Sequence, residues 1–300
     1  MKTTKQRLMV SVIIVVKNDL GIEATLSHLY KQTAKIPFEV IVIDSSEPSR
    51  LASIRRKFPE AVWDQFPVSN RRTTAEQRNR GLELAKGEII AFIDANCIPT
   101  DTWLSSLDTT IQGGKDIVCG PVLDTNESNL VHYAPTHTAG KYVDTCTTIS
   151  VGLRREVVEK VGQFDTSFSF GQDVDFFWRA PDAGYKIYFE PAFSIQHDWG
   201  DNSEQLNRAF EYGKARAHLF KKHWKNRKKE LLWETHVWIY PLFILGLPLT
   251  YFVPFYPLLV IVPILKNIRQ NPVGLIVHHL SYGLGVLAGT FKRWPRTTVK

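Results

Sequence analysis

Residues 8–46 read LMVSVIIVVKNDLGIEATLSHLYKQTAKIPFEVIVIDSS, and the fold turns on how the two apolar runs in this stretch are taken. The first run, Leu8 to Val16, is dominated by β-branched side chains and is stopped by Lys17-Asn18-Asp19. A short apolar run without alternation suits a strand covered on both faces, as in a parallel sheet. Lys2, Lys5 and Arg7 ahead of it imitate a secretory signal, but no A-x-A cleavage site follows, which favours the strand. Leu20 to Gln32 then carries Ile22, Leu26 and Leu29 at helical spacing. Phe38 to Ile43 is a second β-branched run, closed by Asp44-Ser45-Ser46, so the stretch reads as a βαβ unit.

The pattern repeats downstream. Thr74 to Ala85 reads as a helix with Leu82 and Ala85 on its apolar side and Gly87 as its terminator. Glu88 to Ile93 is the next buried strand and runs into Asp94-Ala95-Asn96. Such alternation predicts an α/β fold: a mainly parallel, Rossmann-like sheet with helices on both faces. Ligands bind such sheets at the carboxyl ends of the strands, so Asn18, Asp44 and Asp94 share one rim. Farther on, Asp124 to Val143 reads as a long polar loop able to close over a ligand. Glu156 to Val161 is a short helix, Gly171-Gln172-Asp173 opens another reaching about Ala183, and Lys186 to Glu190 is a strand. Ser194 to Gly200 holds His197 and Asp198.

At 300 residues, 44% hydrophobic and 22% charged, the chain is globular, with room for about two domains, and disordered or fibrous classes are excluded. Cys97, Cys119 and Cys146 have no CxxC spacing, which argues against a disulfide framework or zinc ribbon and suits a reducing cytosol. Thr235 to Leu265 and Val273 to Phe291 contain no Asp, Glu, Lys or Arg. About 20 apolar residues cross a bilayer core, and a soluble helical core would need polar faces that these runs lack. Pro241, Pro248, Pro254, Pro257 and Pro263 allow a kinked or re-entrant path in the first run. Gly285-x-x-x-Gly289 in the second offers a close helix crossing. Lys221, Lys222, Lys225, Arg227, Lys228 and Lys229 precede the first run, and Lys292-Arg293 follow the second, which predicts a hairpin with both ends cytoplasmic. Most of the net charge of +7 is thereby assigned to anionic headgroups rather than to nucleic acid, for which no aromatic-basic interleaving is present.

Five motifs occur in order across the first two thirds of the chain: Val10-Ser-Val-Ile-Ile-Val-Val-Lys-Asn18, Glu39-Val-Ile-Val-Ile-Asp44-Ser-Ser, Arg78-Asn-Arg-Gly-Leu-Glu-Leu-Ala-Lys-Gly87, Phe92-Ile-Asp94-Ala-Asn96 and Gly171-Gln-Asp173-Val-Asp-Phe-Phe-Trp-Arg179. Together they resemble family-two glycosyltransferases. The resemblance implies the A-type nucleotide-diphosphosugar transferase (GT-A) fold, a nucleotide-sugar donor, a divalent metal, Mn²⁺ or Mg²⁺, and transfer with inversion. Together with the charge-free runs, it divides the chain into a catalytic domain, residues 1–230, and a C-terminal membrane-associated helical hairpin, residues 231–300. The catalytic domain is then expected on the cytoplasmic face of the cell membrane, with a lipid-linked or glycan acceptor presented there.

On this resemblance Asn18, Asp44, Arg78, Asp94 and Asn96 bind the donor. Asp44 would accept hydrogen bonds from the nucleobase, although an Asp there also suits a turn. Arg78 would pair with the diphosphate, or else with Glu76 or Glu83 at the surface. Asp94-Ala95-Asn96 stands where the family has Asp-x-Asp, and the neutral Asn96 weakens the metal site formed by Asp94, Asn96 and His197. An imidazole ligand tilts the choice toward Mn²⁺, whereas His197 as a hydrogen-bonded structural residue leaves the metal to oxygen ligands. Asp173 and Asp175 both offer a catalytic base. Asp175 can pair with Arg179 one helical turn on, which leaves Asp173 as the base, with Gln172 where the family has Glu. Arg155 and Trp178 are assigned to the acceptor side. A catalytically silent nucleotide-sugar-binding scaffold would share most of these features, and Asn96 and Gln172 favour it. A soluble nucleotidyltransferase is opposed by the lack of a Gly-rich phosphate loop near the start.

Overall fold

The computed structural model describes residues 8–33, 36–67, 73–125, 140–234, 236–267, 271–296 and 299. The first apolar run forms β1 (Val10–Val16), α1 (Ile22–Tyr30) follows, and the second run forms β2 (Phe38–Asp44). Helix α2 (Ala52–Lys57) leads to β3 (Val62–Gln65), and α3 (Thr74–Leu84) to β4 (Ile89–Ile93). Both faces of β1, β2 and β4 are covered, as their unbroken apolar character requires, whereas β3 is a partly exposed edge strand. Val10, Val12, Ile14 and Val16 enter one core with Val40, Val42, Ile89 and Ala91. Ile13, Ile41, Ile43, Ile90 and Phe92 enter the other.

Next come β5 (Cys97–Pro99), α4 (Trp103–Gln112), β6 (Ile117–Cys119), β7 (Val122–Asp124), β8 (Tyr142–Val143), β9 (Ser150–Arg154), α5 (Arg155–Val161) and α6 (Gln172–Asp182). β10 (Ile187–Phe189) and β11 (Ile195–His197) complete the strands. Among the described residues, eight strands form one sheet in the order β3-β2-β1-β4-β9-β6-β10-β8, and β5-β11-β7 form a smaller one. The chain leaves β1 toward β2 and β3, then crosses back to β4 on the other side of β1. The carboxyl ends of β1 and β4 thus flank a topological switch point, where open α/β sheets bind ligands. Val16 lies opposite Asp44 in the parallel register, so the expected rim forms. Most of the long loop expected between Asp124 and Val143 lies outside the described residues.

Two local expectations are corrected. Helix α3 ends at Leu84 with an extended cap at Ala85, so Gly87 is not its terminator. A Cβ on Gly87 would lie 2.5 Å from the Met9 carbonyl oxygen, and the glycine serves the close approach of this turn to β1. The helix expected over Gln205–Lys222 is α7 (Asn202–Trp233), extended upstream by the Asp201 side chain, which accepts from the Glu204 amide. The boundary at 230/231 therefore falls inside a helix.

The first charge-free run does not form one long helix. It divides into α8 (His236–Leu245) and two 3₁₀ segments, Leu247–Tyr251 and Tyr256–Asn267. At 1.5 Å per residue, α8 reaches about 15 Å, half of a hydrocarbon core. Among the described residues one helix is long and apolar enough to cross a membrane, α9 (Pro272–Phe291). The first run thus takes the interrupted path its prolines allow, and α9 is the one candidate span among the described residues. Gly285 and Gly289 do form a close crossing, but their neighbours are in α7: a Cβ on Gly285 would overlap the Phe210 carbonyl, and one on Gly289 would lie 2.6 Å from the Lys214 carbonyl oxygen. Beyond α9, Trp294 stacks on His218 of α7 at 4.3 Å, and Phe168 covers the other neighbourhood of that ring at 4.1 Å.

Candidate active site

Beneath the switch point a cleft of about 420 Å³ is lined by the ends of β1 and β4, the start of α6, β11 and the first part of α7. Arg78, Asp94, Asn96, Asp173 and His197 all line it. The Asp94–Asn96 turn is held from α1: Thr25 Oγ1 donates to the Ala95 carbonyl at 2.7 Å, and a Cβ on Gly21 would touch Asn96. Antiparallel pairing of β5 with β11 sets His197 opposite Cys97, beside this turn. Asn96 Nδ2 donates to the Asp198 carbonyl at 3.4 Å.

Arg78 sits on α3, whose first turn is locked by a capping box between Thr73 and Glu76. Its side chain is 6% exposed, and Nη2 lies 3.5 Å from Asp94 Oδ1. Glu76 is committed to the cap and Glu83 to Arg80, so the alternative partners for Arg78 are already engaged. Asp173 sits in the first turn of α6, which follows Gly171, whose φ of 75° is the left-handed geometry a glycine tolerates. Burial raises the Asp173 carboxyl above its ordinary range, and the Arg78 charge opposes that rise. Burial lowers the His197 imidazole, with Asp94 opposing, so the ring is neutral near pH 7 and keeps a lone pair.

Four buried polar atoms on residues lining this cleft lack a hydrogen-bond partner among the described residues: Arg78 Nη1, Thr148 Oγ1, Gln172 Oε1 and His197 Nδ1. Native structures leave few such groups, because each carries an uncompensated desolvation cost of about 1–3 kcal/mol. No group of three or more His, Cys, Asp or Glu side chains able to hold a metal ion occurs among the described residues. Asp94, Asn96 and His197 nevertheless supply one anionic oxygen, one neutral oxygen and one imidazole, a partial donor set of the kind that Mn²⁺ accepts.

Asp175 faces away from the cleft. It is fully buried and contacts Arg179 at 3.0 Å, Lys222 at 2.6 Å and His223 at 2.8 Å. Burial by itself would raise this carboxyl, but the His223 hydrogen bond and the two cations hold it below its ordinary range. Lys222 also reaches the buried Asp165 at 2.6 Å. The basic cluster ahead of the apolar region is therefore split: Lys222 and Arg227 are tied into the protein, Arg227 to Asp182 and the Trp178 carbonyl, while Lys221, Lys225, Lys228 and Lys229 are exposed.

The remaining sequence candidates do not line the cleft. Asp44 ends β2 with both carboxylate oxygens engaged, Oδ1 by the Ser46 amide at 2.8 Å and Oδ2 by Trp63 Nε1 at 3.1 Å. Asn18, with φ of 58°, donates its amide to Ser46 Oγ, between Lys17 and Asp19, which do line the cleft. Arg155 clamps the end of α3 by donating to the Ala85 and Gly87 carbonyls, each at 2.8 Å. Trp178 is turned toward α7, where it packs against Arg216, Arg227 and His223. Sequence reasoning missed Trp199, Arg208 and Tyr212, which close the cleft from the α7 side. Their signal was faint: Trp199 follows His197 by two residues, whereas Arg208 and Tyr212 share only a helical spacing.

Residues 11–178 match the family described as Glycosyl transferase family 2. Glycosyltransferase AglE of Haloferax volcanii is 31% identical over 232 residues, covering 70% of this chain and 74% of that protein. Pre-mycofactocin glycosyltransferase of Mycobacterium tuberculosis is 27% identical over 168 residues, 50% of this chain and 35% of that protein. Among solved structures, the mannosyltransferase PcManGT from Pyrobaculum calidifontis, in complex with GDP-Man and Mn²⁺, superposes with a TM-score of 0.62 at 16% identity, covering 95% of this chain and 88% of that one. That likeness is one of fold, a mostly parallel sheet of the GT-A type. Since the family match takes in more than half of its residues, the chain belongs to glycosyl transferase family 2.

Proposed function

We propose that this protein is an inverting glycosyltransferase that moves a sugar from a nucleotide-diphosphate donor to a hydroxyl of a membrane-presented acceptor. The observation that carries the reading is the gathering of Arg78, Asp94, Asn96, Asp173 and His197 on one cleft at the carboxyl ends of β1 and β4. The planar fork of Arg78, which lines the cleft, suits a diphosphate. Asp94, Asn96 and the neutral imidazole of His197 would hold a divalent cation, Mn²⁺ or Mg²⁺, which when bound offsets charge on the diphosphate. Asp173 takes the proton from the acceptor hydroxyl as that oxygen bonds to the anomeric carbon and the bond to the diphosphate breaks, its electron pair leaving with the diphosphate. Attack opposite the leaving group gives inversion. A carboxyl raised by burial is a better proton acceptor than an ordinary surface one, which suits this role.

Membrane presentation is supported by the C-terminal region. Tyr251, Phe252 and Phe255 are 88%, 77% and 76% exposed, large apolar side chains that a water-facing surface rarely gathers. The exposed lysines of α7 would meet anionic headgroups on the cytoplasmic face. The second reading, a silent nucleotide-sugar-binding scaffold, rests on Asn96 and Gln172 standing where carboxylates are expected. Thermal shifts of the full chain with a panel of nucleotide sugars, with and without Mn²⁺, identify the donor. Release of nucleoside diphosphate and transfer of label to membrane lipid or glycan then separate enzyme from scaffold. A donor that stabilises the protein yet is never turned over would establish the scaffold, and no stabilisation by any nucleotide sugar would refute both readings.

A further inference from the structure

The donor cleft has two flanks of opposite chemistry. One, a cavity of about 580 Å³, presents Asp19, Asp198, Glu204 and Glu211 together with Asn207, a lining suited to a sugar's hydroxyls. The other, about 310 Å³, lies between α6, α7 and α9 and is lined by Tyr212, Ala215, Leu219, Val174 and Tyr282. Asp173 stands in the wall of the second and is absent from the first. The polar flank thus suits a glycan, but the carboxylate assigned to proton transfer opens on the apolar one.

We infer that the apolar chamber is the acceptor subsite, and that it takes the hydrocarbon segment next to the attacking hydroxyl of a lipid acceptor. The inference rests on the proposed function, in particular on Asp173 as base. Three observations favour a hydrocarbon occupant. The lining side chains are mostly apolar, so a polar acceptor would lose its hydration without repayment. The cation in the wall, Arg216, is already paired with Glu234 at 2.8 Å and lies over Trp178 and Phe220, so it makes no demand for an anion. Tyr282 comes from α9, the one described helix long and apolar enough to cross a membrane, so a lipid chain reaching the chamber need not leave the apolar part of the protein. The volume is at the small end for a ligand site, enough for the first segment of a chain whose remainder stays in the bilayer.

The test uses the full chain in lipid nanodiscs with a fatty alcohol carrying a diazirine near its hydroxyl, a probe that is both chain and acceptor. Photolabelling mapped by mass spectrometry is expected at Tyr212, Leu219 and Tyr282. Leu219→Trp, which fills the chamber, should lower that labelling about tenfold, equivalent to ~1.4 kcal/mol of lost binding. Labelling of the exposed 247–262 surface should persist. Stabilisation by the nucleotide sugar identified above reports that the variant is folded; Ala215→Val provides a milder second filling if Leu219→Trp is not. Labelling confined to residues 247–262, or chamber labelling that neither folded variant lowers, overturns the inference. So does chamber labelling by a diazirine-bearing sugar without a chain. Failure of any nucleotide sugar to bind the wild-type chain strikes the proposed function instead, which keeps the two failures apart.

Discussion

Asp173 and Asp175 lie on one helix, and exchanging each for Asn gives opposite expectations. Asp175 is fully buried among Arg179, Lys222 and His223. Removing one member of a buried charge cluster costs about 3–5 kcal/mol, because the others are left uncompensated. Two of the three keep partners: Lys222 retains Asp165 at 2.6 Å, and Arg179 retains the Val161 and Gln163 carbonyls at 2.6 and 2.8 Å. The low end, ~3 kcal/mol, is therefore expected for Asp175→Asn, a fall in melting temperature of about 5 °C for a chain of this size. The carboxyl is lowered in the folded state, so its stabilisation is present above the ordinary carboxylate pKa and is lost as pH falls through the lowered value. Asp173 has the opposite sign. Its carboxyl is raised by burial, so ionising it costs folded-state stability, and Asp173→Asn should leave the melting temperature unchanged or higher at pH 7. Loss of positioned proton transfer should nevertheless cut turnover by about 10² to 10⁴. The assay pairs thermal unfolding with turnover at saturating donor. If Asp175→Asn abolishes turnover at full stability while Asp173→Asn stays active, the base has been assigned to the wrong carboxylate and the reasoning fails.

Arg78→Gln removes the charge that opposes the rise of the Asp173 carboxyl, so the acid limb of the turnover profile should move to higher pH as donor affinity falls; an unmoved limb would separate the two residues. Asn96→Asp restores an anionic oxygen beside Asp94 and should tighten Mn²⁺ binding in titration calorimetry, and unchanged affinity would remove Asn96 from the metal site. His218 is lowered to about 4 by burial between Phe168 and Trp294, so the folded protein should lose stability as pH falls from about 6.5 toward 4, a slope that His218→Phe flattens in denaturant titrations. Gly285→Val places carbons against the Phe210 backbone and should split α9 from α7, seen as lost protection of residues 206–217 in hydrogen exchange.

The strands were legible because their apolar runs are short and unbroken, a pattern that burial on both faces produces and few other arrangements do. The Asp175–Arg179 pair was legible because helical neighbours four apart must meet. The C-terminal region was legible as apolar and, from its prolines, as interrupted in its first run, but composition gives total hydrophobicity and does not say how much of it stays helical. Gly285-x-x-x-Gly289 announced a close crossing without naming a partner, and the partner is Gly213 and its neighbours in the helix that closes the cleft. Arg155 illustrates the limit from the other side: a cation near the site in sequence is drawn away by two orphan carbonyls at the end of α3, which no spacing rule reveals.

The deepest dependence on tertiary structure lies in α6 itself. Residues two apart on a helix point about 200° away from each other, so sequence alone requires that Asp173 and Asp175 face nearly opposite sides. It does not say which side is the cleft. That is decided by α7, whose Lys222 and His223 reach Asp175 and so turn Asp173 toward Arg78 and the sheet rim. The same helix receives α9 along Gly213 and lends Arg208 and Tyr212 to the cleft. A chain cut near Lys229 would therefore lose more than a tether: the α7 face that packs on Gly285, Gly289 and Trp294 would be bared next to the residues that orient the base. Such a truncated protein should aggregate or lose donor binding rather than persist as a soluble donor-binding domain. Gel filtration with a nucleotide-sugar thermal shift checks this, and a monodisperse, donor-binding fragment would show that the orientation of Asp173 does not depend on α9.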